Sequence, residues 1–336
     1  MKKFFSNVSK PKFVKQMSRQ KVLIVLIPLL ILVSIQTDKF WSLYNQQGMW
    51  VAIAMDGIMM VGMVLVMITG GLDLSVGAVM SLSGVICVSL LNEMGMPMWG
   101  AVLGGVLVGA LGGAMNGFFI TKLKINPFIS TLGTMITFQG LAMTITDGYP
   151  VVNKILLFSE IGRGKFGPFP IPTIVLFLIL FVGVIYLHFT ESGRNIYAIG
   201  GNEEAANASG IRVGRVKFIA YTICGLTAGI SGVILASRLN TGSPIIGNDS
   251  ALNVITAAML GGISMSGGIG SMEGAFLGIV TIGVLTNSFN MMHVKAYYQQ
   301  VIKGFLLLMV IVIDRVSAQS RRKVLERTRG KAELVE

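Results

Sequence analysis

An all-helical, polytopic membrane fold with about ten transmembrane helices is predicted by three features of this sequence. Of its 336 residues, 53% are hydrophobic and only 12% are charged, where an ordinary soluble domain carries roughly 25% charged residues. The mean hydropathy is +0.74. Apolar runs recur along most of the chain, and the basic residues collect at its two ends and in short loops. That much apolar surface exceeds what a soluble core of this length needs, so lipid is the expected solvent. The 42 glycines have no collagen period. In apolar segments they let helix backbones approach closely, where lipid gives no hydrophobic drive for association. The 21 methionines are read as adaptable packing.

In order along the chain, the apolar runs place spans at 21–36, 50–69, 76–91, 99–120, 128–146, 172–189, 216–237, 251–263, 272–291 and 298–314. Several are shorter than the ~20 residues of a usual spanning helix, and 251–263 is the weakest. Short, Gly-broken segments are tolerated where they are buried in protein or line a cavity. The run Val22–Val33 follows seven basic residues in the manner of a signal sequence. No small-residue cleavage motif follows, so it reads as an uncleaved first span.

Charge sets the orientation. With both termini cytoplasmic, the inner side holds seven Lys/Arg in the arm 1–20 and its junction, two at Lys122 and Lys124, four in the loop 190–217 and seven in the tail: 20 of 27. This is the positive-inside pattern, not a nucleic-acid stripe, despite the net charge of +12. The chain thus divides into a cytoplasmic arm 1–20, a transmembrane domain 21–314 and a basic cytoplasmic tail 315–336. Cys87 and Cys224 lie in apolar runs and form no disulfide framework or CxxC pair. His188 and His293 stand far apart, so no metal site is expected.

Two loops are long, 147–171 outside and 190–215 inside. In the inner one, Asn202 is placed to cap a short helix with Glu203 and Glu204 in its first turn, Ala205 and Ala206 following, and Gly210 closing it. It is either a plain connector or a partner contact. The chain has no phosphate-cradling GxxxxGK[ST] loop and no HExxH. No set of convergent titratable groups suggests an enzyme. Acidic residues in or beside spans are few: Asp56, Asp73 and Glu273. Asp56 or Asp73 leaves open a proton-coupled transporter, which carries ionisable relays within its spans.

Several segments, taken in order, carry a family resemblance: GGLDLSVGA (70–78), NPFISTLGTM (126–135), YAIGGNEEAANASGI (197–211), YTICGLTAGISGVI (221–234), LGGISMSGGIGS (260–271) and YYQQVIKGFLLLMVIVID (297–314). From about Gln20 to Asp314 the chain resembles the permease subunits of bacterial ABC importers for ribose, galactose, xylose and similar monosaccharides, within the branched-chain-type permease superfamily. The resemblance implies a multi-pass protein of the bacterial plasma membrane. Two such permeases, as a homo- or heterodimer, would form one pathway. Separate ATPase subunits would bind ATP and Mg, leaving this chain without a cofactor. A soluble extracytoplasmic protein would deliver sugar. It further implies that the inner loop is the ATPase-coupling segment, with Gly201, Asn202, Glu203, Glu204, Ala205, Ala206, Ser209 and Gly210 as contact residues; the small residues would pack on the partner. A neutral, hydroxyl-rich sugar needs amides, hydroxyls and aromatics along its path; the candidates are Asn116, Asn126, Gln139, Asn253, Asn287 and Asn290. Each of these amides could equally bond backbone between helices. A proton-coupled sugar carrier and a same-family permease for a nucleoside or other non-sugar solute are the alternatives.

The turn GGLDLSVG then falls on the cytoplasmic side, with Gly70, Gly71, Asp73, Ser75 and Gly77 as a hinge near an inner gate. Asp73 is expected either near water or capping the helix that begins at 74–76.

Overall fold

The computed structural model describes residues 11–37 and 39–333, and within them the side chains of 22–316 except 24 and 25. Residues 1–10 of the predicted arm and 334–336 of the predicted tail lie outside the described residues. The chain is mainly helical. In order it forms α1 (Pro11–Gln36), α2 (Leu43–Ile68), α3 (Val76–Asn92), α4 (Met98–Thr121), α5 (Pro127–Thr146), α6 (Ser159–Arg163), α7 (Ile171–Phe189), α8 (Glu191–Gly201), α9 (Glu203–Ala208), α10 (Val213–Leu239), α11 (Ser250–Leu260), α12 (Met272–Met291) and α13 (Ala296–Glu333). Among the described residues, seven helices are long and apolar enough to cross a membrane: α2, α4, α5, α7, α10, α12 and the first part of α13. The apolar part of α1, with α3 and α11, is shorter. The arm and tail are not separate from the spans: α1 begins at Pro11, and α13 runs on to Glu333.

The centre is α2, whose residues from Ile53 to Ile68 are buried but for Asp56. Its Met and Val side chains fill the space between α10, α7 and α12. Against it lies α10, which packs along α4 through glycine. Gly105, Gly109, Gly113 and Gly117 recur every four residues on α4. A methyl on Gly109 would stand 2.6 Å from the Gly229 Cα, and one on Gly113 2.9 Å from the Gly225 Cα. The opposite face of α4 carries Leu103, Leu107 and Leu111, 50–68% exposed at the same spacing. One helix therefore shows its backbone to a neighbour and its branched side chains to lipid.

Two apolar helices are short. α3 and α11 have 17 and 11 residues, so at 1.5 Å per residue they extend about 26 and 17 Å, less than the ~30 Å hydrocarbon layer. Their starts meet inside the bundle. Gly77 and Gly247 abut backbone to backbone, and the Gly247 N–H donates to the Ser81 Oγ at 3.0 Å. Non-helical segments, 69–75 and 240–249, lead to these starts from opposite ends of the bundle.

The 147–170 loop is ordered against the ends of α3 and α10. Val151–Val152 pairs with Thr241–Gly242, and Lys165–Phe166 with Phe169–Pro170. The Arg163 Nε donates to the Arg238 carbonyl at 2.6 Å, and the Lys165 Nζ to the Gln47 Oε1 at 2.6 Å.

Candidate functional site

At one end of the bundle, three backbone turns converge. Gly200, near the end of α8, lies against the Ile68 carbonyl that ends α2 and against Gly268 of the turn before α12. The Gly268 N–H donates to the Ile68 carbonyl at 2.8 Å. Gly70 and Gly267 complete the joint at φ +79° and +81°, values that suit glycine alone. Tyr197 on α8 donates its hydroxyl to the Gly270 carbonyl at 2.9 Å. Burial, and then the nearby Glu273 charge, push this phenol up to about 12, so it remains a donor at physiological pH. α8 is thus joined both to the end of α2 and to the loop that connects α11 with α12.

α9 continues outward from this joint. Asn202 accepts the Ala205 N–H at 2.9 Å, and Gly210 ends the segment at φ +84°; the helix forms where its capping residues predict. Its faces differ from expectation. Ala206 is 5% exposed and packs on Ile199 and Val213, so it anchors α9 to its own chain and does not face outward. Glu203 is held by Lys217 at 2.6 Å. Glu204, Ala205, Asn207, Ala208, Ser209, Gly201 and Gly210 are exposed.

The turn at 70–77 is buried, and this corrects the expected exposure of Asp73. Asp73 is 1% exposed. Its Oδ1 accepts the Ser75 N–H at 2.9 Å and the Ser75 hydroxyl at 2.6 Å. Asn116 on α4 donates its Nδ2 to Ser75 at 2.8 Å and to Asp73 at 3.4 Å, and accepts from Thr134 of α5 at 2.7 Å. Tyr221 of α10 donates to the Leu72 carbonyl at 3.3 Å, and its hydroxyl fills the space beside Gly71. The turn is therefore fastened to three helices. The carboxylate does cap locally, through the Ser75 amide, but it works in a dry network.

At the other end lies a cavity of about 320 Å³ between α2, α10, α12 and α13. Asp56, Arg238, Thr286, Asn287, Asn290 and Lys303 supply its polar groups, and Met49, Ala52, Ile53, Ile279 and Ile282 its apolar wall. Ser250 and Asn253, in the first turn of α11, lie beside Asp56, and Lys303 is a nearby opposite charge. Asn287 exchanges hydrogen bonds with Asn45 at 2.9 and 3.1 Å, and Asn290 accepts from Gln299 at 3.0 Å.

Of the six amides predicted for a solute path, the structure brings Asn287 and Asn290 to this cavity and Asn253 to its Asp56. Asn116 belongs to the Asp73 network. Asn126 caps α5 by accepting the Phe128 N–H at 2.9 Å. Gln139 reaches Asn248, at 3.1 Å, away from the lining. Sequence reasoning singled out none of Gly200, Gly267, Gly268 and Lys303. A lysine within the apolar run 298–314 is the signal that would have found the cavity.

The family model described as branched-chain amino acid transport system / permease component matches residues 48–311. The chain belongs to this family. It is 42% identical over 289 residues to the ribose import permease protein RbsC of Bacillus subtilis, which covers 85% of this chain and 89% of that protein. It is 38% identical to the L-arabinose transport system permease protein AraH of Escherichia coli, over 90% of this chain and 92% of the relative. Escherichia coli RbsC is 35% identical over 88% and 93%. The chain is accordingly a multi-pass transport permease of the bacterial cell membrane, and not an enzyme.

Proposed function

We propose that this permease carries a pentose, as its likeness to ribose and L-arabinose permeases suggests, and that two permease subunits, alike or paralogous, form the pathway. ATP and Mg bind a partner ATPase. That ATPase engages the exposed side of α9, namely Glu204, Ala205, Asn207 and Ala208, and a binding protein delivers sugar at the ordered 147–170 loop. The single observation that carries the coupling role is the backbone joint of Gly200 with the end of α2 and the Gly267–Gly268 turn. A partner that moves α8–α9 pulls on both without an intervening flexible side chain. The turn Gly70–Gly77 then acts as the fixed pivot next to the inner gate.

The orientation follows from chemistry at the two ends. Trp41, Tyr44, Trp99, Tyr149, Tyr297 and Tyr298 are all more than half exposed near the cavity end, as in an interfacial aromatic belt. The loop cations Lys122, Lys124, Arg194, Arg212, Arg215 and Lys217 belong to the α8–α9 end, which is read as cytoplasmic. Ten membrane-crossing segments then bring both termini to that side, with α3 and α11 each completing its crossing through an irregular stretch.

The test is uptake of labelled ribose and L-arabinose by proteoliposomes holding the permease with its ATPase and binding protein. ATP should drive accumulation of at least one of them. Uptake driven by a proton gradient with no ATP would overturn the reading in favour of a secondary carrier, with Asp56 as its acid.

A further inference from the structure

We propose that the cavity bounded by Asp56, Arg238, Thr286, Asn287, Asn290 and Lys303 is a solute site for a single sugar ring, held within one permease chain rather than only between two.

The chemistry of the lining is the argument. A sugar ring offers hydroxyls that donate and accept from the same carbon, with C–H faces between them. Asp56 accepts only; Lys303 and Arg238 donate only; Asn287, Asn290 and Thr286 do both. A carboxylate and a cation in one small space match a vicinal diol, and hydrogen bonds to charged groups are the stronger kind. The isoleucine and methionine wall of α2 and α12 covers the apolar faces of the ring.

Size and position agree. At about 320 Å³ the cavity lies at the small end of ligand pockets, enough for one ring and a few waters and too small for an oligosaccharide. Its floor is Asp56 beside the first turn of α11. Its lining residue Arg238 accepts through its carbonyl from Arg163 of the 147–170 loop, and Gln47, next to the lining residue Gly48, accepts from Lys165 of the same loop. That places the mouth where a delivered solute would arrive.

This inference rests on the pentose reading of the permease, and the test separates the two. The complete importer is rebuilt in proteoliposomes with Thr286→Cys; the native Cys87 and Cys224 are buried. A membrane-impermeant methanethiosulfonate then labels the introduced thiol from outside. Millimolar ribose or L-arabinose, without binding protein, should slow labelling. Adding Asp56→Asn or Lys303→Gln should weaken that protection roughly tenfold or more. Two substitutions on different helices are used so that one misfolded variant does not decide the result. An unreactive thiol, or a labelling rate that neither pentose changes while the wild-type importer still takes up pentose, overturns the cavity site alone. Protection by leucine but by neither pentose makes the occupant an amino acid and also overturns it. Failure of the wild-type importer to move either pentose overturns the transport reading and the site with it.

Discussion

Replacing Gly200 by Ala should uncouple this permease, and the size of the effect follows from what surrounds the new methyl. It would run into the Ile68 carbonyl and the Gly268 amide, both backbone. Neither is the end of a flexible side chain, so a turn must move. Overpacking of this kind costs about 1–3 kcal/mol. Parting the Gly268 N–H from the Ile68 carbonyl, 2.8 Å apart in the native joint, leaves a buried pair unmade at about 1–3 kcal/mol more. Alanine returns up to about 1 kcal/mol through its better helix propensity. The net is about 1–6 kcal/mol against the joined state. Coupling free energies between sites are typically about 1–3 kcal/mol, so the substitution consumes most or all of the coupling. Sugar-stimulated ATPase activity, measured in nanodiscs with loaded binding protein, should fall about tenfold or more toward the basal rate. Gly201→Ala is the internal control, because a methyl there meets nothing within 4 Å. Thermal melts of the isolated permease should separate the two variants in the same sense. Gly200→Ala with wild-type stimulation would refute the joint as the route of coupling, as would equal melts for both variants.

Other outcomes follow from neighbouring contacts. Ala205→Trp should block ATPase stimulation without lowering the melting temperature of the isolated permease, while Ala206→Glu, which buries a charge against Ile199 and Val213, should lower it; identical behaviour would contradict the assignment of the two faces of α9. Asp73→Asn keeps an acceptor for the Ser75 amide and should cost about 1–3 kcal/mol less than Asp73→Leu, which leaves the Ser75 and Asn116 donors unmet; the yield of folded protein and chemical denaturation in mild detergent report the order. Gly113→Leu should abolish folding, since the added side chain meets the α10 backbone at Tyr221 and Gly225. Leu111→Ala on the exposed face of the same helix should change stability by less than about 1 kcal/mol, as judged by size-exclusion profile after heating.

How much of this was legible in the sequence depends on whether the deciding force was local. The apolar, helical character was readable because lipid imposes composition directly, and the α9 cap because Asn202 and the residues after it act within one turn. The α4 glycines could be read as a packing stripe, but not their partner, since the Gly109–Gly229 approach joins residues 120 positions apart. Asp73 misled for a related reason. A lone acid in a Gly-rich turn looks wet until Asn116, 43 residues on, and Tyr221 close over it. Ala206 looked like a docking surface because smallness permits close packing on either side of a helix; only Ile199 and Val213 decide which.

The two acids inside the bundle share one physical cause and diverge in what remains available to them. A helix that starts within a membrane presents unsatisfied amides and the positive end of its dipole to a medium that cannot solvate them. α3 and α11 both start there, and each has a carboxylate at hand: Asp73 at the start of α3 through Ser75, and Asp56 from α2 at the start of α11 beside Ser250 and Asn253. Asp73 is 1% exposed, with every donor to it drawn from the chain itself. Asp56 opens on the cavity with Lys303 as countercharge. The same electrostatic need thus yields a closed network in one half and an open one in the other, and only the open carboxylate retains acceptor capacity for a visiting hydroxyl. The open network connects to the Gly200 joint along two helices, since α2 runs from Asp56 to Ile68 and α11 from Ser250 to Leu260, just before the turn that contains Gly268. A displacement of α8 therefore reaches the floor of the cavity through rigid elements on two sides, which is what a two-state element biased from both ends requires.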